Sequence, residues 1–199
     1  MDEAERIVGL YERHAVAFDR IRGRNLFEKP WLDRFAEGLS TNAAVLDIGC
    51  GSGEPMAAEL VARGLRVTGI DSSATLIDLC RSRMPGSEWL VTDMRTMDLG
   101  RRFQGLIAWH SFFHLTQDDQ RSMFARFAAH AAARAMLMFT SGPADGIAIG
   151  EFEGEPLYHA SLAAEEYRVL LKDNGFVVVD HVANDPDCGG ATVWLAQRV

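Results

Sequence analysis

Cysteine is scarce, basic side chains are outnumbered, and no stretch of the chain stays apolar for long. The three cysteines, Cys50, Cys80 and Cys188, are odd in number and scattered, with no CxxC pair. That pattern argues against a disulfide framework or a zinc site and fits a reducing cytoplasm. No apolar run approaches the ~18 residues that suggest a membrane span. The acidic opening "MDEAERIVGLYERH" has the pattern of neither a secretory signal nor a transit peptide. Twenty basic residues against 28 acidic ones leave a formal net charge of −8. A protein that grips nucleic acid needs basic surface to displace counterions from phosphates, so no nucleic-acid partner is expected. The local exception is "RIRGR", where Arg20, Arg22 and Arg24 alternate. It reads either as a solvated loop near a helix end or as an anion site for a small acidic substrate.

The rest reads as one domain of ordinary size without internal repeats, 48% hydrophobic and 24% charged. Residues 1–42 make a helical extension and 43–199 an α/β core. In "EAERIVGLYERHAVAFDRI" the residues Ile7, Leu10, Tyr11, His14, Ala15 and Phe18 share a face at helical spacing, and "PWLDRFAEGL" is a second helix with Pro30 in its first turn. Strands then alternate with helices. "AAVLDIG" leads to "GEPMAAELVARG", "LRVTGID" to "SATLIDLCRSRM" with Ser72 or Ser73 as N-cap, and "EWLVTD" follows. "GLIAWH" leads to "QDDQRSMFARFAAHAAA", and "AMLMFTSG" to a long glycine-rich loop from Gly142 to Ala160. The helix "AAEEYRVLLKDNG" precedes "FVVVDHVA" and "ATVWLAQRV". Such alternation predicts a doubly wound, mostly parallel seven-stranded sheet with helices on both faces. Only "NDPDCGG" joins the last two strands, too short for a parallel crossover, so one strand at the C-terminus is antiparallel. Ligands bind such sheets beyond the carboxyl ends of the strands, here at Asp47, Asp71, Asp93, Trp109, His110 and Ser141.

"IGCGSGEP", directly after the first strand, is a glycine turn of the sort that holds a nucleotide-like cofactor. A dinucleotide fingerprint wants GxGxxG, but the third glycine position is Glu54, which sets a negative charge where a pyrophosphate would sit. The lysine of a phosphate-binding P-loop is missing too, so a phosphate ligand is disfavoured.

"VLDIGCGSG", then "GIDSS" ending the second strand and "VTDMR" ending the third, resembles the class I S-adenosylmethionine-dependent methyltransferases, over about residues 43 to 198. The resemblance implies their Rossmann-like fold, S-adenosylmethionine as cofactor and S-adenosylhomocysteine as product. It lays the backbone around Gly49, Cys50 and Gly51 along the methionine part, counts Gly53 among the cofactor-binding residues, and has Asp47 attract the ammonium through water. Asp71 accepts from the two ribose hydroxyls, Ser72 flanks the adenine, and Asp93 and the Met94 amide meet its edge. Trp109 and His110 line the sulfonium region, and Tyr11 on a lid helix covers the methionine end. Each has a plainer reading: Asp71 as a helix cap, Asp93 as a turn cap, the glycines as turns only, and the N-terminal helix as packing on the sheet. Cys50 has no adjacent base and takes no nucleophilic role.

The sulfonium is already an activated methyl donor, so catalysis is chiefly the in-line holding of an acceptor away from water. Candidates for substrate contact and proton removal are His110, and Tyr158 and His159 in the long loop. His114 reads as structural, His14 as helix packing, and Phe112 and Phe113 as core. Arg22 or Arg24 could meet an acidic acceptor. The expected partner is a small, possibly anionic, molecule, and the protein a monomer or homodimer. Two alternatives share parts of the pattern. An NAD(P)-dependent oxidoreductase would share the sheet and the acid ending strand two, yet Glu54 and a missing Tyr-x-x-x-Lys pair oppose it. A non-catalytic S-adenosylmethionine binder would carry the same cofactor motifs, and only a roomy acceptor pocket would set an enzyme apart from it.

Overall fold

The computed structural model describes residues 3–199, with side chains from Arg6 onward. The chain runs α1 (Glu3–Arg13), α2 (Ala15–Ile21), α3 (Lys29–Glu37), β1 (Ala44–Ile48), α4 (Met56–Ala62), β2 (Arg66–Asp71), α5 (Ala74–Arg83), β3 (Glu88–Val91) and β4 (Phe103–Ala108). After a short 3-10 turn, Phe112–His114, come α6 (Gln117–His130), β5 (Ala131–Ser141), β6 (Gly146–Phe152), β7 (Glu155–Ser161), α7 (Ala164–Asp173), β8 (Phe176–Asp185) and β9 (Ala191–Arg198).

Seven strands form the main sheet in the order β3-β2-β1-β4-β5-β9-β8. β9 runs antiparallel to both β5 and β8, and the other pairings are parallel. The continuous apolar run of β1 follows from burial on both faces: Val45, Leu46 and Ile48 are fully buried. Val45 and Ile107 look onto one core with Trp31, Phe35 and Leu60. Leu46 and Leu106 look onto the other, where Phe112, Phe124, Phe127, Phe139, Tyr167 and Trp194 interlock. Ser73, not Ser72, caps α5, its Oγ accepting from Leu76 N–H at 3.2 Å, and Thr116 caps α6 through Asp119 N–H.

The structure corrects the expected elements in three places. The N-terminal helix is two helices, because His14 leaves helical geometry at φ −109°, ψ 20° and lets α2 turn over the strand ends. The alanines after His130 belong to β5, not to the preceding helix. The glycine-rich loop is largely a hairpin of β6 and β7, closed by Glu153 and Gly154, both at positive φ (51° and 80°), as a two-residue primed turn requires. Its β6 strand carries glycine and alanine between isoleucines, which hid the alternation. The extension does not stand apart from the core. Trp31, Leu32 and Phe35 of α3 are buried in it, while Ile7 and Leu10 of α1 pack on Tyr158 and Ala160 of β7. Among the described residues no helix is long and apolar enough to cross a membrane.

Candidate active site

At the end of β1 the chain turns under itself. Gly49 (φ 71°) and Gly51 (φ 55°) take the left-handed region that a side chain resists, and the Gly49 and Cys50 amides both donate to Ile70 O. A Cβ on Gly49 would come 2.3 Å from that of Ser111, whose Oγ donates to Ile48 O at 2.7 Å. Only glycine lets the β1 and β4 ends approach so closely. Asp71, ending β2, receives Gly51 N–H on one carboxylate oxygen and Ser73 N–H on the other, each at 2.9 Å. With the Ser72 amide also acting on it, the carboxylate keeps part of its lone-pair capacity for a further donor.

Two cavities open over this turn. The first, about 790 Å³, runs beneath α1 past Asp71, Ser72, Asp93 and Met94. The second, about 840 Å³, lies over Asp47, Cys50, Glu54 and Trp109 and reaches Phe113 and His159. Tyr11, Phe18, Gly49, Gly51, His110 and His114 line both and form the neck between them.

Asp47 is buried, and its carboxylate has no hydrogen-bond partner among the described residues. Burial, reinforced by the charge of Asp71, pushes its pKa up to about 7. A buried carboxylate without a donor is costly unless a cation comes to it. Burial raises Asp71 too, against the lowering effect of its backbone donors. At Asp93, burial acts upward but is outweighed by Arg95, whose guanidinium and amide bind the carboxylate at 2.7–3.1 Å. The Cys50 thiol is raised well above its ordinary value by burial, then by Cys80 and the nearby carboxylates, so it stays protonated.

His110 sits just past β4 at φ 49°, its backbone N–H held by Thr140 Oγ1 at 2.9 Å. That left-handed backbone swings the imidazole into the neck, and neither ring nitrogen has a partner among the described residues. Its pKa is lowered to about 4 by desolvation, with Arg22 and His159 adding. The ring is still exposed to the empty cleft, so the full shift needs ligands to displace the water there. His114 has both nitrogens engaged, Nδ1 with Tyr158 O at 2.8 Å and Nε2 with the Tyr11 hydroxyl at 2.9 Å.

Several expected site residues lie elsewhere. Gly53 faces the core: a Cβ there would meet Met84 Cε at 2.5 Å and Cys80 Sγ at 3.2 Å, and it borders neither cavity. The Tyr158 ring points away from the cleft into the small core under α1, since alternation along β7 sends it and His159 to opposite faces. His159 does border the second cavity, and so does Phe113, which is therefore not the core residue its sequence context suggests. Arg24 is tied to Asp19, whereas Arg22 reaches the second cavity while held by the buried Glu28 at 2.6 Å. His14 meets Glu155 Oε1 at 2.7 Å.

Residues the sequence did not single out complete the site. Arg95 clasps Asp93, Ser111 braces the glycine turn, and Glu12 latches α1 onto the start of α5 through Ser73 Oγ (2.5 Å) and Thr75 Oγ1 (2.7 Å). Ser111 and Glu12 carry no local sequence signal, because each acts across elements, whereas Arg95 acts on a partner two residues away within the VTDMR stretch. Among the described residues no cluster of His, Cys, Asp or Glu could hold a metal ion.

Residues 45–134 match the methyltransferase domain family. A 59-residue stretch, 28% of the chain, is 42% identical to trans-aconitate 2-methyltransferase of Paracidovorax citrulli, and the aligned part spans 22% of that relative. The chain also resembles solved structures at low identity. With 1,6-didemethyltoxoflavin-N1-methyltransferase of Burkholderia thailandensis, bound to 1,6-didemethyltoxoflavin and S-adenosylhomocysteine, the TM-score is 0.77 at 19% identity, covering 98% of this chain and 88% of that one. With magnesium protoporphyrin IX methyltransferase of Synechocystis, bound to S-adenosylhomocysteine, it is 0.75 at 17%, covering 100% of both.

Proposed function

We propose that this chain, whose residues 45–134 match the methyltransferase domain family and whose fold is shared with solved methyltransferases, is an S-adenosylmethionine-dependent methyltransferase acting on a small-molecule acceptor. The observation that carries this reading is Asp47. It is a largely buried carboxylate with no donor among the described residues, opening onto the second cavity at the floor of a glycine turn too tight for side chains, and it suits the ammonium of an amino-acid cofactor and no phosphate. The cofactor supplies an electrophilic methyl on a sulfonium whose departure as a neutral thioether drives the transfer.

The remaining roles belong to this chain. The spare acceptor capacity of Asp71 takes the ribose hydroxyls. Ser72, Met94 and Asp93 border the adenine, with Asp93 working as one unit with Arg95. Gly49, Cys50 and Gly51 lie along the methionine part. Arg22, the arginine of the second cavity, serves a carboxylate there, whether the cofactor's own or that of an anionic acceptor. Tyr11 and His110 form the neck at which the methyl crosses from one cavity to the other. The acceptor's attacking atom becomes far more acidic as it gains its bond to carbon, so a weak base is enough to take its proton. The unpartnered imidazole of His110 is placed for that. Tyr158 has no part in this, and His159 contributes from the acceptor side.

The second cavity stays open, which supports an enzyme over a non-catalytic binder. Free Cys50, Cys80 and Cys188 and a formal net charge of −8 support a cytoplasmic protein without nucleic-acid partners. Calorimetric titration with S-adenosylhomocysteine, with NADH and NADPH as controls, tests the reading. Micromolar binding of the first alone is expected, and binding of a nicotinamide instead would overturn it.

A further inference from the structure

Seven rings run edge to edge around the second cavity. Centroids are 5.3 Å apart for Phe18 and Tyr11, 5.3 Å for Tyr11 and His114, and 4.8 Å for His114 and His159. The chain continues through His159 to Phe113 (5.1 Å), Phe113 to His110 (5.7 Å), and His110 to Trp109 (5.2 Å), and all seven residues border the cavity. Packing alone does not account for this belt. The protein buries Phe112 completely in its aromatic core, yet the next residue, Phe113, is turned outward by the 3-10 turn and keeps a partly open face. His159 is likewise half-buried with an open side, and His110 is exposed to the cleft.

On the reading of this site as a methyl-transfer site, we propose that the acceptor is a planar, unsaturated ring system carrying a hydroxyl or ring N–H. Flat rings meet aromatic walls by stacking or edge-to-face contact, which a puckered saturated ring or an open-chain polyacid cannot match. The polar edges on this wall suit such a molecule. His110 offers an unpartnered nitrogen, and Arg22 offers guanidinium donors beyond the one bound to Glu28. Phe113 and His159 also border an adjoining recess of about 650 Å³ beside Ser141, Gly142 and Ile147, which gives a fused or substituted ring room to extend. In the transfer, the acceptor's lone pair forms the new bond to the methyl carbon. The carbon–sulfur bond breaks with its electron pair going to sulfur, and the acceptor's proton passes to His110.

The test is ligand-observed NMR on the protein saturated with S-adenosylhomocysteine. Probes are 4-hydroxyquinoline and 3-hydroxybenzoate, their saturated counterparts decahydroquinolin-4-ol and 3-hydroxycyclohexanecarboxylate, and trans-aconitate as an open-chain polyanion. Planar probes should bind at least tenfold more tightly than the saturated ones. Phe113→Leu, and independently His159→Ala, should reduce that preference below threefold while S-adenosylhomocysteine binds as before. Absence of planar binding, equal binding of saturated probes, a preference for trans-aconitate, or a preference unmoved in both variants would each overturn the proposal. Failure of S-adenosylhomocysteine itself to bind would instead bring down the methyl-transfer reading beneath it.

Discussion

The Tyr11 hydroxyl donates to His114 Nε2 across 2.9 Å, and the bond on the other side of the imidazole fixes this direction. A carbonyl oxygen only accepts, so Nδ1, 2.8 Å from Tyr158 O, carries the proton. Burial holds the ring neutral, its pKa near 3, and leaves Nε2 bare. One imidazole thus joins the lid helix, the hairpin and the turn after β4.

Tyr11→Phe removes the donor and leaves Nε2 buried without a partner. A loss on the order of 1–2 kcal/mol is expected, concentrated in the lid. Amide hydrogen exchange should speed up across α1 and α2 while the sheet keeps its protection. Affinity for S-adenosylhomocysteine should fall severalfold, since α1 roofs the first cavity. Unchanged exchange in α1 would show that Glu12 and the Arg13–Glu155 pair hold the lid without this bond.

How much of this was legible beforehand depended on whether the signal was local. The apolar runs of β1 and β4 and the glycines at 49 and 51 announce buried parallel strands and a close turn in a few adjacent residues. The carboxylates at the strand ends follow from the winding. Tyr158 and His159 show the opposite case: both faces of β7 are partly buried, so nothing in the sequence says which neighbour faces the cleft. The break at His14 and the outward turn of Phe113 depend on the contacts of Glu155 and Phe112, which lie in other elements or in the core.

Gly53 separates turn from ligand. At φ 78°, and with Met84 Cε only 2.5 Å from where an alanine methyl would lie, Gly53→Ala strains the backbone and pushes on α5. Thermal unfolding should show a loss of about 1–3 kcal/mol, with cofactor affinity per folded molecule nearly intact. A large loss of affinity at unchanged stability would return Gly53 to the binding site.

Asp47 links cofactor affinity to pH. Its folded pKa, about 7, is raised above the ordinary ~3.9 of an aspartate, so its ionisation costs stability as pH rises from about 4 to 7. An incoming ammonium needs the ionised form, and below pH 7 the free protein must first release a proton. Affinity for S-adenosylhomocysteine should therefore weaken by up to ~10-fold per pH unit from 7 to 5. Asp47→Asn should bind more weakly at pH 8, show no such slope, and unfold at higher temperature without ligand. A stability gain on the order of 2 kcal/mol is expected at pH 8. A slope that survives in the variant would assign the titration to another group, with Asp71 the nearest carboxylate.

His110 separates binding from turnover. Its lowered pKa keeps the imidazole unprotonated through the neutral range, so wild-type turnover should be flat in this group above pH ~6 and decline only in acid. His110→Phe keeps a ring in the neck and removes both nitrogens. Release of S-adenosylhomocysteine with a planar hydroxylated acceptor should fall by roughly 10- to 1,000-fold, while S-adenosylhomocysteine binds within about twofold of wild type. The variant's residual rate should climb with pH toward the acceptor's own pKa, because only acceptor that has already lost its proton can then react. Titrating the histidine ring by NMR with S-adenosylhomocysteine and an acceptor analogue bound checks the premise, with a midpoint well below 6.5 expected and one at or above it contradicting the neutral base. A variant with full turnover and an unaltered pH profile would leave His110 a wall of the neck, holding the acceptor without touching its proton.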